Sequence, residues 1–263
     1  MTVSGRDAVK VDTDEVGVTT ISINRPDRMN ALDAPTVVAL VELINEHGAD
    51  PATRVILLAG EGAAFTTGAD LQAIKEAGPD APSPDETMHN AAALVRAVLT
   101  APVPVIAAVN GPAAGVGVSL ALAADLMLMA EDAYLLLAFT NIGLMPDGGA
   151  SVLLPAAVGR AVASRMLLRG DSVSAFQARD VGLAIDVLPT ADLRAGAAKI
   201  ARRLARGPRR ALELTKRSLT GATLTELDPA LAREHEGQVE LLVSADFAEG
   251  VSSILERRRP TFS

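Results

Sequence analysis

The stretch Asn110-Gly-Pro-Ala-Ala-Gly-Val-Gly-Val-Ser-Leu120 follows an apolar run, residues 103–109, with the length and composition of a buried strand. A second glycine-bearing stretch, Glu61-Gly-Ala-Ala-Phe-Thr-Thr-Gly-Ala-Asp-Leu71, follows another apolar run in the same way. Glycine beside a strand end lets the backbone turn sharply and approach a ligand closely. The two stretches therefore predict a pair of turns whose main-chain N–H groups point at one carbonyl oxygen.

The chain around these turns alternates strands with helices. Residues 9–12 and 18–23 alternate in hydropathy on either side of a polar turn, which predicts an antiparallel hairpin. Asp33 followed by Pro35 predicts the start of a helix. Because strand and helix then alternate, we predict an α/β fold. The further strands predicted are residues 54–59, 103–109, 126–129 and 134–138, and the further helices are 69–76, 85–99 and 115–124.

Beyond Ser151 helices dominate, beginning with two predicted at about residues 151–158 and 161–168, and only residues 185–188 read as a strand. We divide the chain into a core, residues 1–195, and a helical C-terminal region, residues 196–263. A region this thin is not expected to be stable alone, so it should pack on the core or on another subunit. The proline-bearing segment 78–84 is predicted to be mobile and able to cover a pocket.

Composition excludes several classes of protein. The chain has 263 residues, no cysteine and a net charge of −8, so disulfides, thiolate metal sites and a nucleic-acid surface are not expected. The longest apolar stretch, residues 116–130, is interrupted by Ser119 and Asp125 and is shorter than the ~20 residues that cross a bilayer. With no secretory signal recognisable at the start, we expect a cytoplasmic protein without a membrane span.

Each glycine-bearing stretch alone is a weak signal, because strand–glycine–helix turns occur in many α/β proteins. Known glycine motifs fit poorly. No Gly-Lys-Ser/Thr of a P-loop follows, the third glycine of a dinucleotide fingerprint is replaced by Leu120, and no Gly-x-Ser-x-Gly elbow occurs. No spacing of histidine and carboxylate residues indicates a metal site.

Several spaced blocks nevertheless agree with one family. They are residues 24–32 (Asn-Arg-Pro-Asp-Arg-Met-Asn-Ala-Leu), 65–71, 104–111, 115–117, 124–125, 143–149, and 247–251 with 258–260. On these blocks the chain resembles the crotonase superfamily, the enoyl-CoA hydratase/isomerase family, nearly end to end. The resemblance implies a spiral of ββα units with a helical trimerisation region. It also implies an acyl-CoA thioester as substrate, no further cofactor, and a homotrimer or a dimer of trimers.

Carried onto this sequence, the resemblance places the two oxyanion-binding N–H groups on Thr67 and Val116. The second position is usually glycine in the family, and valine keeps the backbone donor while narrowing the acyl pocket. Arg28 and Asp70 also have simpler interpretations, as a solvated loop charge and a helix cap. The residues that the resemblance places at the substrate are Arg28, Ala31, Leu32, Gly68, Ala69, Asp70, Gly115, Ser119 and Phe139.

The acid-base residues bear on the reaction. Hydratases of the family use two glutamates, and the resemblance places Ser119 and Phe139 at those positions, neither of which is a useful base. Asp147 remains, one turn beyond, where several family isomerases carry a single acid. Apolar neighbours in residues 142–145 are expected to raise its pKa by desolvation. A turn aspartate that bonds its own loop is the simpler interpretation of Asp147.

Three functions stay open at this point. The first is isomerisation of an unsaturated acyl-CoA by Asp147. The second is hydration, with water held by Ser119, Thr140 or Asn141, and the third is a non-catalytic acyl-CoA-binding protein. Among the other polar residues, we interpret Lys216 and residues 257–259 as a solvated face. The alternative is that they reach the phosphates of CoA. His47 and His235 read as surface residues, and His89 as a half-exposed helix residue or part of the acyl pocket.

Overall fold

The computed structural model describes residues 5–78 and 81–263. A six-stranded sheet has the order β1-β2-β3-β4-β6-β9, in which β1 is antiparallel to β2 and the other pairs are parallel. A three-stranded sheet has the order β5-β7-β8. The strands are β1 Val9–Thr13, β2 Val18–Ile23, β3 Val55–Gly60, β4 Val105–Val109, β5 Ala113–Ala114, β6 Leu126–Ala130, β7 Tyr134–Leu136, β8 Ser172–Ser174 and β9 Asp186–Leu188.

Helices cover the large sheet and form most of the C-terminal part. α1 packs on α3, α3 packs on α4 and α9, and α7 contacts β2, β3, β4 and β6. The helices are α1 Ala34–Ala49, α2 Leu71–Ala77, α3 Pro84–Thr100, α4 Val116–Ala123, α5 Ala150–Arg169, α6 Ala175–Asp180, α7 Leu193–Ala205, α8 Arg209–Thr223, α9 Leu227–Leu241 and α10 Ala245–Leu255.

The core is centred on β3 and β4. Every residue of both strands is buried, which is expected of parallel strands covered on both faces. Their continuous aliphatic sequences, without alternation, reflect that burial. The two glycine-bearing stretches follow the carboxyl ends of β3 and β4, so neighbouring parallel strands bring them to the same edge of the sheet.

The predicted hairpin and first helix are confirmed. β1 and β2 pair in antiparallel register, with Val9 opposite Ile23. Asp33 caps α1, because its Oδ1 accepts a hydrogen bond from Thr36 N–H at 3.0 Å. The α/β alternation that follows is also confirmed, with strand and helix ends within a few residues of the predicted ones.

Two strands were missing from the prediction. β8 lies beyond Ser151, where residues 185–188 were expected to be the one strand, and β5 is a two-residue strand between Asn110 and α4. Strands of two and three residues are too short to show a period of alternation, and β5 and β8, unlike β7, are not part of a longer apolar run. Their pairing in the small sheet is therefore visible only in the structure.

The segment 78–84 is shorter than predicted. Residues 79 and 80 lie outside the described residues. Ser83 caps α3, with its Oγ accepting from Glu86 N–H at 3.2 Å, and Pro84 is the first residue of that helix. Pro84 therefore belongs to α3.

α5 is long and apolar enough, by length and composition alone, to cross a membrane. Core helices of water-soluble proteins pass the same test. α5 is also interrupted at Gly159, whose φ of 74° and ψ of 163° are not helical. Each half is then about half the length of ~20 residues that a bilayer requires. This interruption agrees with the two predicted helices, residues 151–158 and 161–168.

The proposed division at residues 195 and 196 falls inside α7. Ala197, Ala201 and Ala205 of that helix are buried, and α7 packs on the large sheet. The helical C-terminal region that follows the sheet-packed helices therefore begins with α8. α9 returns to the core, where it contacts α3 and α5.

Candidate active site

Two asparagine side chains hold the turn between β3 and α2. Asn30 Nδ2 donates to the carbonyl oxygen of Ala64 at 2.7 Å. Asn110 Nδ2 donates to the carbonyl oxygen of Gly62 at 3.0 Å, and Asn110 Oδ1 accepts from Gly60 N–H at 3.1 Å. Because Asn110 begins the second glycine-bearing stretch, its side chain ties the two stretches together.

The two stretches lie side by side. Thr66 forms a parallel bridge with Ala113, and Ala114 N–H donates to the Thr66 carbonyl at 2.9 Å. A methyl group on Gly68 would lie 2.6 Å from the Ala114 carbonyl oxygen, and one on Gly117 would lie 2.8 Å from that of Thr66. Glycine is required at both positions because the backbones approach too closely for a side chain.

The free amide of the first turn belongs to Ala69, not to Thr67. Thr67 N–H already donates to the carbonyl of Met29 at 3.3 Å. Leu32 N–H donates to the carbonyl of Gly68 at 2.7 Å, and in this parallel bridge the N–H of Ala69 points away from Leu32. Ala69 N–H makes no hydrogen bond within residues 5–78 and 81–263. The amide expected to be the donor, that of Thr67, is therefore already hydrogen-bonded, and Ala69 supplies the amide of this turn that has no acceptor in the described residues.

The second amide is at the start of α4. Gly115 caps this helix with φ 52° and ψ −129°, a conformation that a side chain disfavours. Its own N–H donates to the carbonyl of Leu136 at 2.9 Å, and Val118 N–H donates back to Gly115. Val116 N–H has no acceptor in the described part of the chain, as expected for the first turn of a helix. The helix dipole adds positive potential there.

Asp147 lies beside this helix start. A methyl group on the next residue, Gly148, would lie 2.9 Å from Ser119 Cβ and 3.4 Å from Val116 Cγ2. The residue Asp147 is partly exposed, while its Oδ1 is buried and has no hydrogen-bond partner in the described structure. Burial raises the pKa of Asp147 to about 7. A turn aspartate bonded to its own loop would not show this environment.

Gln238 of α9 orients the Asp147 carboxyl group. Its Oε1 accepts from Met145 N–H at 3.3 Å, which leaves Nε2 to donate to Asp147 Oδ2 at 2.9 Å. The Gln238 side chain is fully buried, so both bonds are shielded from water. The hydrogen bond from Gln238 lowers the pKa of Asp147 and opposes the larger effect of burial. Oδ1 is left without a hydrogen-bond partner in the described structure.

Glu234 lies one turn earlier on α9 and caps the start of α5, a helix far from it in the sequence. Its two oxygens accept from Gly149 N–H at 2.7 Å and Ser151 N–H at 2.9 Å. The side chain is fully buried, and burial raises the pKa of Glu234 while the N–H groups at the helix start oppose that rise. Its charge contributes to raising the pKa of Asp147. Neither Glu234 nor Gln238 was predicted to belong to the site.

Comparison with known proteins decides the family. The family model described as enoyl-CoA hydratase/isomerase matches residues 13–263. The chain is a member of the enoyl-CoA hydratase/isomerase family. It is 38% identical to 1,2-epoxyphenylacetyl-CoA isomerase of Escherichia coli K12, over 95% of this chain and 96% of that protein. It is 33% identical to 2,3-dehydroadipyl-CoA hydratase of the same organism, over 92% and 93%.

The fold agrees with that membership. A crystal structure of an enoyl-CoA hydratase from Mycobacterium avium subsp. paratuberculosis K-10 superposes with a TM-score of 0.90 at 42% identity, covering 97% of this chain and 98% of that one. The expected crotonase-like α/β fold with a helical C-terminal region is therefore confirmed. The chain is an acyl-CoA enzyme of the hydratase/isomerase family.

Ser119 and Phe139, which the family resemblance places at the two hydratase glutamate positions, are not carboxylates. Ser119 is fully buried, and its Oγ donates to the backbone carbonyl of Asp147 at 2.7 Å. Phe139 is buried at the start of a 3-10 turn, where its carbonyl accepts from Leu144 N–H. Ser119 therefore holds the chain at Asp147 in place, and Phe139 contributes apolar volume.

Arg28 is half-buried and ion-paired. Its guanidinium makes a bidentate pair with Asp70, with distances of 2.9 and 3.3 Å to the two carboxylate oxygens, and Arg25 contacts the same carboxylate at 3.1 Å. Burial acts to raise the pKa of Asp70, but the hydrogen bond from Ala73 N–H and these two charges together hold it below its usual value. Asp70 also caps α2 by accepting from Ala73 N–H, so the simpler interpretation of that residue is confirmed.

The structure brings most of the expected catalytic and substrate-binding residues into two groups, to neither of which we assign Phe139. Arg28, Ala31, Leu32, Gly68, Ala69 and Asp70 form one, joined by the bonds between Leu32 and its partners Gly68 and Asp70. Gly115, Val116, Ser119 and Asp147 form the other. The two meet where Gly68 lies against Ala114.

The remaining polar candidates are engaged in packing. Thr140 Oγ1 donates to the carbonyl of Leu167, and Asn141 Nδ2 to that of Gly170. Lys216 is buried and not solvated: its Nζ lies 2.9 Å from Asp125 Oδ2 and donates to the carbonyl of Val98 at 2.8 Å. Burial lowers the pKa of Lys216 and Asp125 opposes that change.

Proposed function

We propose that the chain isomerises an unsaturated acyl-CoA, moving its double bond relative to the thioester carbonyl, with Asp147 as the acid-base residue. One observation carries the proposal: Oδ1 of the Asp147 carboxyl group is buried without a hydrogen-bond partner, Oδ2 is bonded to Gln238, and the pKa is raised to about 7. Such a group both takes and returns a proton near neutral pH. The absence of a carboxylate at positions 119 and 139 favours a one-carboxylate reaction.

Two backbone amides support the chemistry. Ala69 N–H and Val116 N–H have no acceptor within the described residues, and they come from stretches that touch at Gly68 and Ala114. We propose that both donate to the thioester oxygen of the substrate, where the negative charge of an enolate gathers. Each such donor typically contributes about 10²–10³ in rate.

The proposed reaction transfers one proton between two carbons. The Asp147 carboxylate takes a proton from C2 of a 3-enoyl-CoA, and the electron pair of the C–H bond moves toward the thioester oxygen to give a dienolate. The protonated carboxyl group then returns the proton to C4 as the carbonyl re-forms. The product is a 2-enoyl-CoA of the same composition, and no water enters it.

Both named relatives bear on the proposal. The protein named 1,2-epoxyphenylacetyl-CoA isomerase, at 38% identity, supports an isomerase. The protein named 2,3-dehydroadipyl-CoA hydratase, at 33% identity, favours the hydratase alternative. Against hydration, Ser119, Thr140 and Asn141, the side chains expected to hold a water, each already donate to a backbone carbonyl.

The test compares wild type with Asp147→Asn on a 3-enoyl-CoA, following the conjugated 2-enoyl thioester. We expect the variant to lose about 10²–10⁴ in rate, the usual contribution of a positioned acid-base group. Asp132→Asn is the matched control, because Asp132 is an exposed carboxylate that bonds Thr190. Asp132→Asn should keep the wild-type rate.

Three outcomes separate the alternatives. An Asp147→Asn variant as fast as wild type would remove Asp147 from the mechanism. Rapid hydration of a 2-enoyl-CoA without isomerisation would select the hydratase. Binding of acyl-CoA with no turnover across a panel of substrates would select a binding protein.

A further inference from the structure

Three side chains that the proposed reaction does not use meet at the contact between α3 and α9. Asp85 and His89 lie one turn apart on α3, and His235 lies on α9. One ligand atom from each lies within 4.8 Å of the other two. His89 and His235 also line a groove of about 600 Å³ between the two helices, together with Arg96, Asp228, Leu231 and Glu236.

Hydrogen bonding fixes the tautomer of His89. Its Nδ1 lies 2.8 Å from the backbone carbonyl oxygen of Asp85, which can only accept. In the neutral ring Nδ1 therefore carries the proton, and Nε2 keeps its lone pair. A histidine that donates one ring N–H to a backbone carbonyl while the other nitrogen is free is the usual arrangement of a metal ligand.

The two imidazole rings are spaced as they would be around one ion. Their centroids are 4.9 Å apart and their planes are inclined by 80°. With a Zn–N distance of about 2.0–2.1 Å, each ring centre lies roughly 3.2 Å from the metal, and a tetrahedral angle separates the two centres by roughly 5.2 Å. His235 Nε2 and Asp85 Oδ1 are in contact at 2.6 Å, so an ion needs a small outward movement of that carboxylate, which is exposed.

We propose that Asp85, His89 and His235 form a binding site for a divalent zinc-type cation that links α3 to α9. Two imidazoles and one carboxylate are a ligand set that suits Zn²⁺, and the fourth position faces the groove, where water or a small anion can bind. One carboxylate without an oxygen cage does not suit Mg²⁺ or Ca²⁺. The sequence hid this site because His235 comes from a helix distant along the chain.

One ligand of the site, His235, lies on α9, the helix that also carries Gln238, the residue that orients Asp147. His235 follows Glu234 directly and lies one turn before Gln238. An ion at the site therefore holds α9 against α3 close to two residues of the active site. Gln238 contacts Asp147, and Glu234 contacts the start of α5. The inference itself rests on the three ligands and is independent of the reaction proposed above.

The test is calorimetric titration of Zn²⁺ into protein that carries no histidine tag and has been treated with chelator. We expect one ion per chain, a higher melting temperature with Zn²⁺, and no comparable effect of Mg²⁺. His89→Gln and His235→Gln should each weaken binding at least tenfold. His47→Gln is the matched control, because His47 lies on α1 outside the cluster, and it should bind as wild type.

Co²⁺ gives a second measurement that does not depend on folding stability. Its visible absorption should show nitrogen and oxygen ligands in wild type and in His47→Gln, and should change in His235→Gln. Stoichiometric Zn²⁺ binding that persists in both His89→Gln and His235→Gln would overturn the proposal. So would wild-type protein that binds no Zn²⁺ at equimolar concentrations.

Discussion

Ionisation of Asp147 lowers the free energy of unfolding by an amount that depends on pH. The pKa of an aspartate in an unfolded chain is about 3.9, while that of Asp147 in the folded protein is about 7. Between these values the folded state holds a proton that the unfolded state has lost. The free energy of unfolding therefore falls as pH rises from about 4 to about 7, and above that the full cost, at most about 4 kcal/mol, is present.

Asp147→Asn removes this titration, because an amide is uncharged at every pH. We expect the variant to melt several degrees higher than wild type at pH 8.5, with a gain that shrinks as pH is lowered toward 5. Thermal unfolding at a series of pH values measures this. Asp132→Asn, the exposed control, should show no such trend. A gain for Asp147→Asn that is the same at every pH would contradict the assignment of a raised pKa.

Gln238 and Glu234 act on Asp147 in opposite directions. The hydrogen bond from Gln238 lowers the pKa of Asp147, and the charge of Glu234 raises it. In the proposed isomerase, activity rises with pH as the Asp147 carboxylate forms. Gln238→Met should therefore move the midpoint of the kcat/KM profile to higher pH, and Glu234→Gln should move it to lower pH.

A merely structural role for these two residues predicts something else. Loss of packing or of the α5 cap would reduce the amount of folded enzyme and lower kcat/KM at all pH values. It would leave the midpoint where it is in wild type. Shifts of the two midpoints in the same direction would also contradict the arrangement around Asp147.

At the scale of elements, the start of α4 carries the second proposed oxyanion donor. Val116 is the first residue of this helix, a position where proline is tolerated because its missing N–H has no partner within the helix. Val116→Pro should therefore keep the fold and lower isomerase activity by about 10²–10³. Val116→Ala keeps the N–H and should retain activity within a few-fold, which separates the donor from the side chain.

The result for Val116→Pro is interpretable only if the fold is intact. Circular dichroism and the melting temperature should match those of Val116→Ala. Full activity in a folded Val116→Pro enzyme would show that this amide does not hold the thioester oxygen. A group other than Val116 N–H would then have to be the second donor beside Ala69 N–H.

Elements with a strong local pattern were predictable from the sequence. The hairpin, the Asp33 cap and the buried strands β3 and β4 follow from alternation, capping chemistry and continuous apolar runs. Gln238 and Glu234 were missed because polar residues on a C-terminal helix normally face solvent. Lys216 was misread for the same reason, since burial of a lysine depends on Asp125 and two carbonyls from distant segments.

The backbone of the first turn shows a different limit. The residues of block 65–71 predicted that a turn lies here. Which amide of the turn is free, that of Thr67 or that of Ala69, depends on the hydrogen bonds made by Met29 and Leu32. That choice is made by hydrogen bonds between segments about forty residues apart. No property of the turn residues themselves distinguishes the two amides.

At the scale of the whole molecule, the C-terminal helices expose apolar surface. Within the chain α8 buries only Lys216, while Leu214 and Leu219 remain exposed. Val243, between α9 and α10, and Ile254 of α10 are also exposed. Apolar side chains gathered in one region of a chain are typical of a surface that is covered in an oligomer. This agrees with the homotrimer, or dimer of trimers, that we propose from the family resemblance.

Light scattering after size exclusion tests the assembly. We expect a mass of three or six chains for wild type, as the family resemblance implies. In a closed symmetric assembly the same surface is buried on every copy. Leu219→Glu and Val243→Glu place a charge at side chains that are 61% and 74% exposed within one chain, and each should shift the mass toward the monomer. Val38→Glu, at an exposed apolar side chain of α1, is the control and should keep the wild-type mass. If wild type is monomeric, or if the control dissociates as readily as the two variants, the C-terminal helices are not the interface.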